Sequence, residues 1–196
     1  MSLYVVFEGI DGAGKTTQAK ALEKYLKKEN YKVFYFHEPT TTKAGKLVKE
    51  MIREGTIYGN DAISLAFALD RIMFKYEVLN HALREYDVII GDRSFYSSIV
   101  YQKTMGLDLK WLKEVNRFVI VPDIAFVLEI SIEEQMRRRG ESDIIFEKKS
   151  FQEKLIQEYK NLLSYFPNYN IIFINGEDSI ENIHQQIREI IKKYLK

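Results

Sequence analysis

Apolar positions along this chain gather into five short runs, over residues 3–8, 32–37, 88–91, 124–130 and 171–174. Each run is nearly continuous in apolar residues instead of alternating, as expected for parallel strands covered on both faces. Between the runs the period changes. Ala19, Leu22 and Leu26 recur at helical spacing after the first run, and Ile180, Ile183, Ile187, Ile190 and Ile191 form a core stripe after the last. Ser131 with Glu134, and Asp178 with Glu181, supply capping-box patterns ahead of two of these helices. The pattern predicts an α/β fold of three layers, about five parallel strands with helices on both faces. Ligands of such sheets bind beyond the carboxyl ends of the strands, where Glu8, Glu38, Asp92, Arg93 and the loop after Ile130 fall. Two inserts, residues 40–60 and 137–149, interrupt the alternation at positions suited to a second substrate and a closing lid.

The turn after the first run carries the most specific chemistry. Gly9, Gly12, Ala13, Gly14, Lys15 and Thr16 satisfy the G-x-x-x-x-G-K-[ST] spacing between a strand and a helix, with Thr17 next. Backbone N–H groups and a helix N-terminus then face one anion, which defines a P-loop nucleotide fold. Lys15 would reach the β- and γ-phosphates, and the Thr16 hydroxyl would help hold Mg²⁺. This chain is expected to bind a nucleoside triphosphate.

Composition narrows the surroundings. With 196 residues the chain is read as a single domain over 1–196. A net charge of +1 gives no support for a nucleic-acid surface, so basic chemistry must be local. The absence of cysteine excludes disulfides, zinc–thiolate sites and thiol catalysis. No apolar run approaches membrane-spanning length and the first strand starts at once, so a cytoplasmic protein with no membrane partner is expected.

Other clusters fit the same site. Asp92 and Arg93 end the third run, where an acid positions Mg²⁺ or its waters and a guanidinium clamps phosphate. Ser97, Ser98 and Tyr101 share about one face of a helix expected from residue 94 to 103. Phe67 and Arg71 lie four apart on a helix beginning near Asp61, either as core or as a platform for a nucleobase. Glu38 reads equally as a loop acid or a site residue. Arg137, Arg138 and Arg139 read as a solvated helix end or as neutralisers of a transferring phosphoryl group. His37, His81 and His184 show no triad or metal spacing.

These motifs together resemble the thymidylate kinases, in the correct order over nearly the whole chain. The resemblance rests on the stretch from Phe7 to Gln18, on Phe67 to Arg71, on Asp92-Arg93 followed by Ser97, Ser98, Tyr101 and Gln102, on Pro122-Asp123, and on Arg139-Gly140-Glu141. It implies an ATP-dependent nucleoside-monophosphate kinase that converts dTMP to dTDP for dTTP synthesis, with ATP and Mg²⁺, as a homodimer. It places Asp11 between donor and acceptor, Arg93 on the monophosphate with Glu38 beside the reaction centre, and Phe67 on the thymine ring. Arg71 would bond the 4-oxo group, Ser98 would face the base edge, and Tyr101 would crowd the ribose 2′ position. Gln102 and Ser97 join the substrate set, and Arg137 the donor side. Gly12 in place of a P-loop arginine resembles the bacterial subtype, whose lid supplies the catalytic arginine, here matched by Arg139. The lid is expected over roughly 137–149 and the acceptor segment over roughly 38–75. The chain departs from the pattern at His37, at Thr40-Thr41-Thr42 and after Asp143.

Two rival readings differ in class. Another nucleoside-monophosphate kinase would want a carboxylate or amide facing an exocyclic amine, where this chain offers Phe67, Arg71 and Tyr101. A nucleotide switch would want an Asn-Lys-x-Asp motif, which the sequence lacks, and would leave the lid arginines without a purpose.

Overall fold

A computed structural model describes residues 2–55, 57–139 and 149–195. Five parallel strands, β1 (Leu3–Glu8), β2 (Val33–His37), β3 (Val88–Asp92), β4 (Ile124–Glu129) and β5 (Ile171–Asn175), form one sheet in the order β2-β3-β1-β4-β5. All five apolar runs therefore become strands, with ends shifted by a residue. β3 is buried throughout and β1 and β4 nearly so, whereas the edge strands β2 and β5 expose part of each run. Central strands are covered on both faces, so their sequences stay apolar; edge strands tolerate polar positions.

Helices α1 (Lys15–Lys28), α2 (Lys43–Glu54), α3 (Asn60–Phe74), α4 (Asn80–Glu85), α5 (Phe95–Thr104), α6 (Leu109–Val115), α7 (Ile132–Arg139), α8 (Lys149–Tyr165) and α9 (Ile180–Ile191) surround the sheet. A π-helical turn, Lys75–Leu79, joins α3 to α4. Helix α1 packs on β1, β2 and β3 and against α9, while α5 packs against α8. The main core holds Val5, Val6 and Phe7 of β1, Ile89 and Ile90 of β3, and Phe126 and Leu128 of β4. A smaller cluster between α2 and α3 contains Val48, Met51 and Ala66, with Phe67 packed on its edge.

Two local expectations are corrected. The last helix is capped by Ser179, whose hydroxyl accepts from Asn182 N at 3.1 Å, one residue beyond the expected Asp178. Asp178 bonds Ser179 N instead. The isoleucine stripe buries Ile183, Ile187 and Ile191, but Ile180, the first residue of the helix, is 55% exposed. The Ser131 cap holds as expected, accepting from Glu134 N.

Strand register fixes the site. Phe7 of β1 and His37 of β2 both pair with Asp92 of β3, so three strand ends lie side by side. The P-loop, the loop after His37 and the Asp92-Arg93 corner thereby open on one rim.

Candidate active site

The P-loop turns in conformations that side chains resist. Gly12 and Gly14 have φ of 85° and 93°, and a Cβ on Gly9 would sit 2.6 Å from Leu128 O. Gly14 caps α1, whose first turn has no side-chain cap and no acid, so its amide dipoles face the cleft. Lys15 folds back over the loop, donating to Ile10 O at 2.8 Å with Asp11 Oδ1 at 3.8 Å. Burial, then the Arg93 charge, lowers its ammonium to about 7, against the pull of Asp11, Asp92 and Glu8.

Beside it, Thr16 donates to Asp92 Oδ2 at 2.5 Å, and Tyr35 donates to the same oxygen at 3.2 Å. Asp11 draws three cations: Arg93 in direct contact, Lys15, and Arg139 with Nη1 at 3.9 Å. Burial works to raise the Asp11 carboxyl, but those cations outweigh it and hold it below the usual range. Arg93 takes a left-handed backbone, φ 72°, uncommon for a residue with a Cβ, while its N–H bonds Phe7 O at 3.0 Å. Its guanidinium lies 5.4 Å over the Tyr101 ring and donates to Ser97 Oγ at 3.0 Å. A cleft of about 630 Å³ is lined by these P-loop residues with Tyr35, His37, Glu38, Asp92, Arg93 and Arg138.

A second group surrounds Arg71, which is buried. Its Nε donates to Glu38 at 2.7 Å, its Nη1 to Asn116 Oδ1 at 2.8 Å and its Nη2 to Ser98 Oγ. The Phe67 ring stands 5.6 Å from the guanidinium, partly packed on the small α2–α3 core and partly open. Gln102 accepts from Ser64 Oγ at 2.7 Å one turn further along α5. Ser97 and Ser98 thus divide the α5 face: one serves Arg93, the other Arg71.

The arginine run separates into distinct positions. Arg137 bonds Glu134 through Nε and Nη2 and lines the edge of a second cleft, about 460 Å³, between the P-loop and the β5–α9 turn. Arg138 spans that cleft, donating to Gly12 O at 3.2 Å and Gly176 O at 2.7 Å. Arg139 packs on Gly12, where a Cβ would lie 3.2 Å from its Cγ. The rest of the expected lid, residues 140–148, lies outside the described residues.

Several contributors were not singled out from sequence. Asp70, buried, accepts from Thr40 N and from the hydroxyls of Thr40 and Thr42, pinning the loop after His37 where the chain departs from the family pattern. Gln135 ties α7 to Asp11 O at 2.9 Å and to Gln152 of α8 at 3.1 Å. Asn116 ends a short helix with no local signal of its role. Arg138 was visible only as one of three adjacent arginines.

A P-loop on a parallel sheet, with an acid at the neighbouring strand end and cations converging on one cleft, defines a P-loop phosphotransferase. The family described as thymidylate kinase matches residues 7–187. A probable thymidylate kinase of Thermococcus gammatolerans is 40% identical over 209 residues, covering 100% of this chain and 98% of its own. One of Methanocaldococcus jannaschii is 38% identical over 192 residues, covering 97% and 96%. The solved thymidylate kinase of Ehrlichia chaffeensis superposes with a TM-score of 0.77 at 24% identity, covering 97% of this chain and 98% of that one, and shares its fold. The chain belongs to the thymidylate kinase family and is an ATP-dependent nucleoside-monophosphate kinase.

Proposed function

We propose that the rim of β1, β2 and β3 carries in-line transfer of the γ-phosphoryl of ATP to dTMP, giving dTDP and ADP. The observation that carries this reading is the meeting of Lys15, Arg93 and Arg139 on the single carboxylate Asp11 in an open cleft. Such an excess of positive charge suits two sets of phosphates brought together. The P-loop amides of Gly9, Gly12, Ala13 and Gly14, with Lys15, Thr16 and Thr17, hold the donor phosphates; Arg137 borders the donor cleft. Arg93 holds the acceptor phosphate. Its second pKa of about 6 leaves that phosphate anionic at neutral pH, so no strong general base is required. Asp11 offsets the mutual repulsion of the converging cations and keeps them oriented until substrate enters, and Arg139 approaches from the lid over roughly 137–149.

Phe67 stacks on the base, Arg71 and Ser98 face its edge, and Tyr101 stands against the sugar, with Glu38 and Gln102 supporting them inside an acceptor segment over roughly 38–75. The Thr16 hydroxyl and the Asp92 carboxylate lie 2.5 Å apart, a pair of hard oxygen donors suited to Mg²⁺ and its waters. When bound, Mg²⁺ would neutralise charge on the donor phosphates. One kinase domain spans 1–196 in this reading, and it works in the cytoplasm; no helix among the described residues is long and apolar enough to cross a membrane. The exposed stripe of Leu65, Leu69 and Tyr76 along α3 and the following turn supports a homodimer packed through these helices.

The test is coupled ADP release with Mg-ATP against dTMP, dUMP, the ribose form of TMP, dCMP and dGMP. Turnover strongest on dTMP, weak on the ribose form and near nil on dCMP is expected. Equal or better turnover on another monophosphate would overturn the base-reading roles.

A further inference from the structure

Beneath the P-loop lies a carboxylate that the reaction as described does not use. Glu8, the last residue of β1, is 0% exposed and makes no ion pair among the described residues. Its partners are hydroxyls: Ser94 Oγ donates to Oε1 at 2.8 Å, Ser97 Oγ donates to Oε2 at 2.6 Å, and Tyr159 OH reaches Oε2 at 3.4 Å. A buried acid costs several kcal/mol unless something compensates for its lost hydration. Hydroxyl dipoles provide part of that compensation, and the arrangement points outward to the cleft.

We infer that Glu8 is a positioning residue for Arg93, acting through Ser97. This rests on the reading of Arg93 as the acceptor-phosphate residue. The direction of each bond follows from the groups themselves. A guanidinium only donates, so the Ser97 oxygen receives Arg93 Nη1 at 3.0 Å, and its one proton goes to Glu8. Burial pushes the Glu8 carboxyl upward, and the Ser97 hydroxyl, the Arg93 charge, the Ser94 hydroxyl and the Lys15 charge pull it back. Arg93 has a second tether, Asp11, on its other nitrogen. That carboxylate is 42% exposed at the cleft, where a bound phosphate competes with it for the guanidinium. The Ser97–Glu8 tether lies behind Arg93 and is buried, so it persists when the phosphate arrives. The left-handed backbone at Arg93 holds the other end of the same side chain. Backbone and relay together leave the guanidinium one direction, into the cleft. Tyr159 brings α8, the helix that follows the lid segment, onto the same carboxylate.

The experiment is a double-mutant cycle on kcat with dTMP, using Ser97→Ala, Glu8→Gln and Arg93→Ala, alongside thermal melting and the dissociation constant of a non-hydrolysable ATP analogue. Loss of one charge-assisted hydrogen bond at Arg93 predicts a kcat lower by about tenfold in Ser97→Ala, with analogue binding unchanged. Glu8→Gln places an amide beside the serines and moves kcat the same way, while Ser97→Thr, which keeps the hydroxyl, restores it. In the Arg93→Ala background, Ser97→Ala should have no further effect on kcat. An equal effect of Ser97→Ala with and without Arg93, or a lower melting temperature with kcat intact, overturns the relay. An Arg93→Ala enzyme with unchanged kcat would instead overturn the Arg93 role itself, and with it any need to position that residue.

Discussion

Removing Glu38 tests the buried Arg71 group, proposed to read the base, through its energetics. Arg71 and Glu38 have side-chain exposures of 6% and 7% and meet at 2.7 Å. With charge centres about 4 Å apart and an effective dielectric of about 20, their attraction is roughly 4 kcal/mol. Burial pushes the Glu38 carboxyl upward and the Arg71 charge pulls it back, so each ion's desolvation cost is offset mainly by the other. Glu38→Ala leaves the guanidinium buried with only the Asn116 and Ser98 dipoles, and should cost about 3–5 kcal/mol. At roughly 2–4 °C per kcal/mol for a chain of this size, melting falls by about 6–20 °C. Glu38→Gln keeps an acceptor and loses only the charge, so its loss should be smaller, about 1.5–3 kcal/mol. Replacing both partners by apolar residues, Glu38→Leu with Arg71→Met, should recover most of the stability while abolishing selectivity among monophosphates. The measurement is urea denaturation of all variants, with the slope unchanged from the parent. A loss below about 1 kcal/mol in Glu38→Ala would refute the reasoning, since it would mean that water already reaches the pair.

Further outcomes follow from the same geometry. Lys15→Ala should lose far more kcat than substrate affinity, read by steady-state kinetics; an unchanged kcat would remove Lys15 from the mechanism. Because the free Lys15 sits near 7 and bound phosphates favour its charged form, Mg-ATP affinity should fall by up to about tenfold per unit as pH rises above 7, and a Lys15→Met variant should lose that slope in nucleotide titrations. The same shift has a stability sign: between about 7 and 10.5 the unfolded chain binds the extra proton, so the unliganded protein gains stability over that window, the cost of the buried ammonium being fully present below it. Gly45→Ala, normally helpful in a helix, should destabilise by about 1–3 kcal/mol in urea melts, because its Cβ would meet Thr40 O at 2.4 Å. Tyr101→Ala should raise kcat/KM for the ribose form relative to dTMP, and an unchanged ratio would end the sugar-selection role.

Strands and P-loop were legible because their signals are local. An apolar run needs only its own residues to be recognised, and the P-loop glycines are spaced by the turn they make. Pairings across long separations were not. Glu8 meets Tyr159 across 151 positions and Arg71 meets Asn116 across 45, and neither partner carries a pattern that names the other. Thr40 and Thr42 read only as departures from the family pattern until Asp70 supplied the acceptor for their hydroxyls. Among the arginines, the chain showed only a cluster, whereas the turn of α7 decides that Arg139 faces Asp11, that Arg138 spans the second cleft while also bonding Glu134, and that Arg137 turns to Glu134.

The strand order also governs when the site comes into being. β1 leaves synthesis first, yet its two neighbours in the sheet are β3 and β4, so it has no hydrogen-bonding partner strand until residue 88 and no second one until residue 124. Pairings of such sequence separation form slowly, and an unpaired apolar strand is exposed to aggregation meanwhile. On the proposed donor site, nucleotide is expected to assist only late, because the P-loop closes against the Asp92 corner and the α7 arginines. A chain stalled before α7 would carry the complete P-loop sequence without its binding site, so ligand-dependent rescue of folding should begin only with fragments that extend past residue 139.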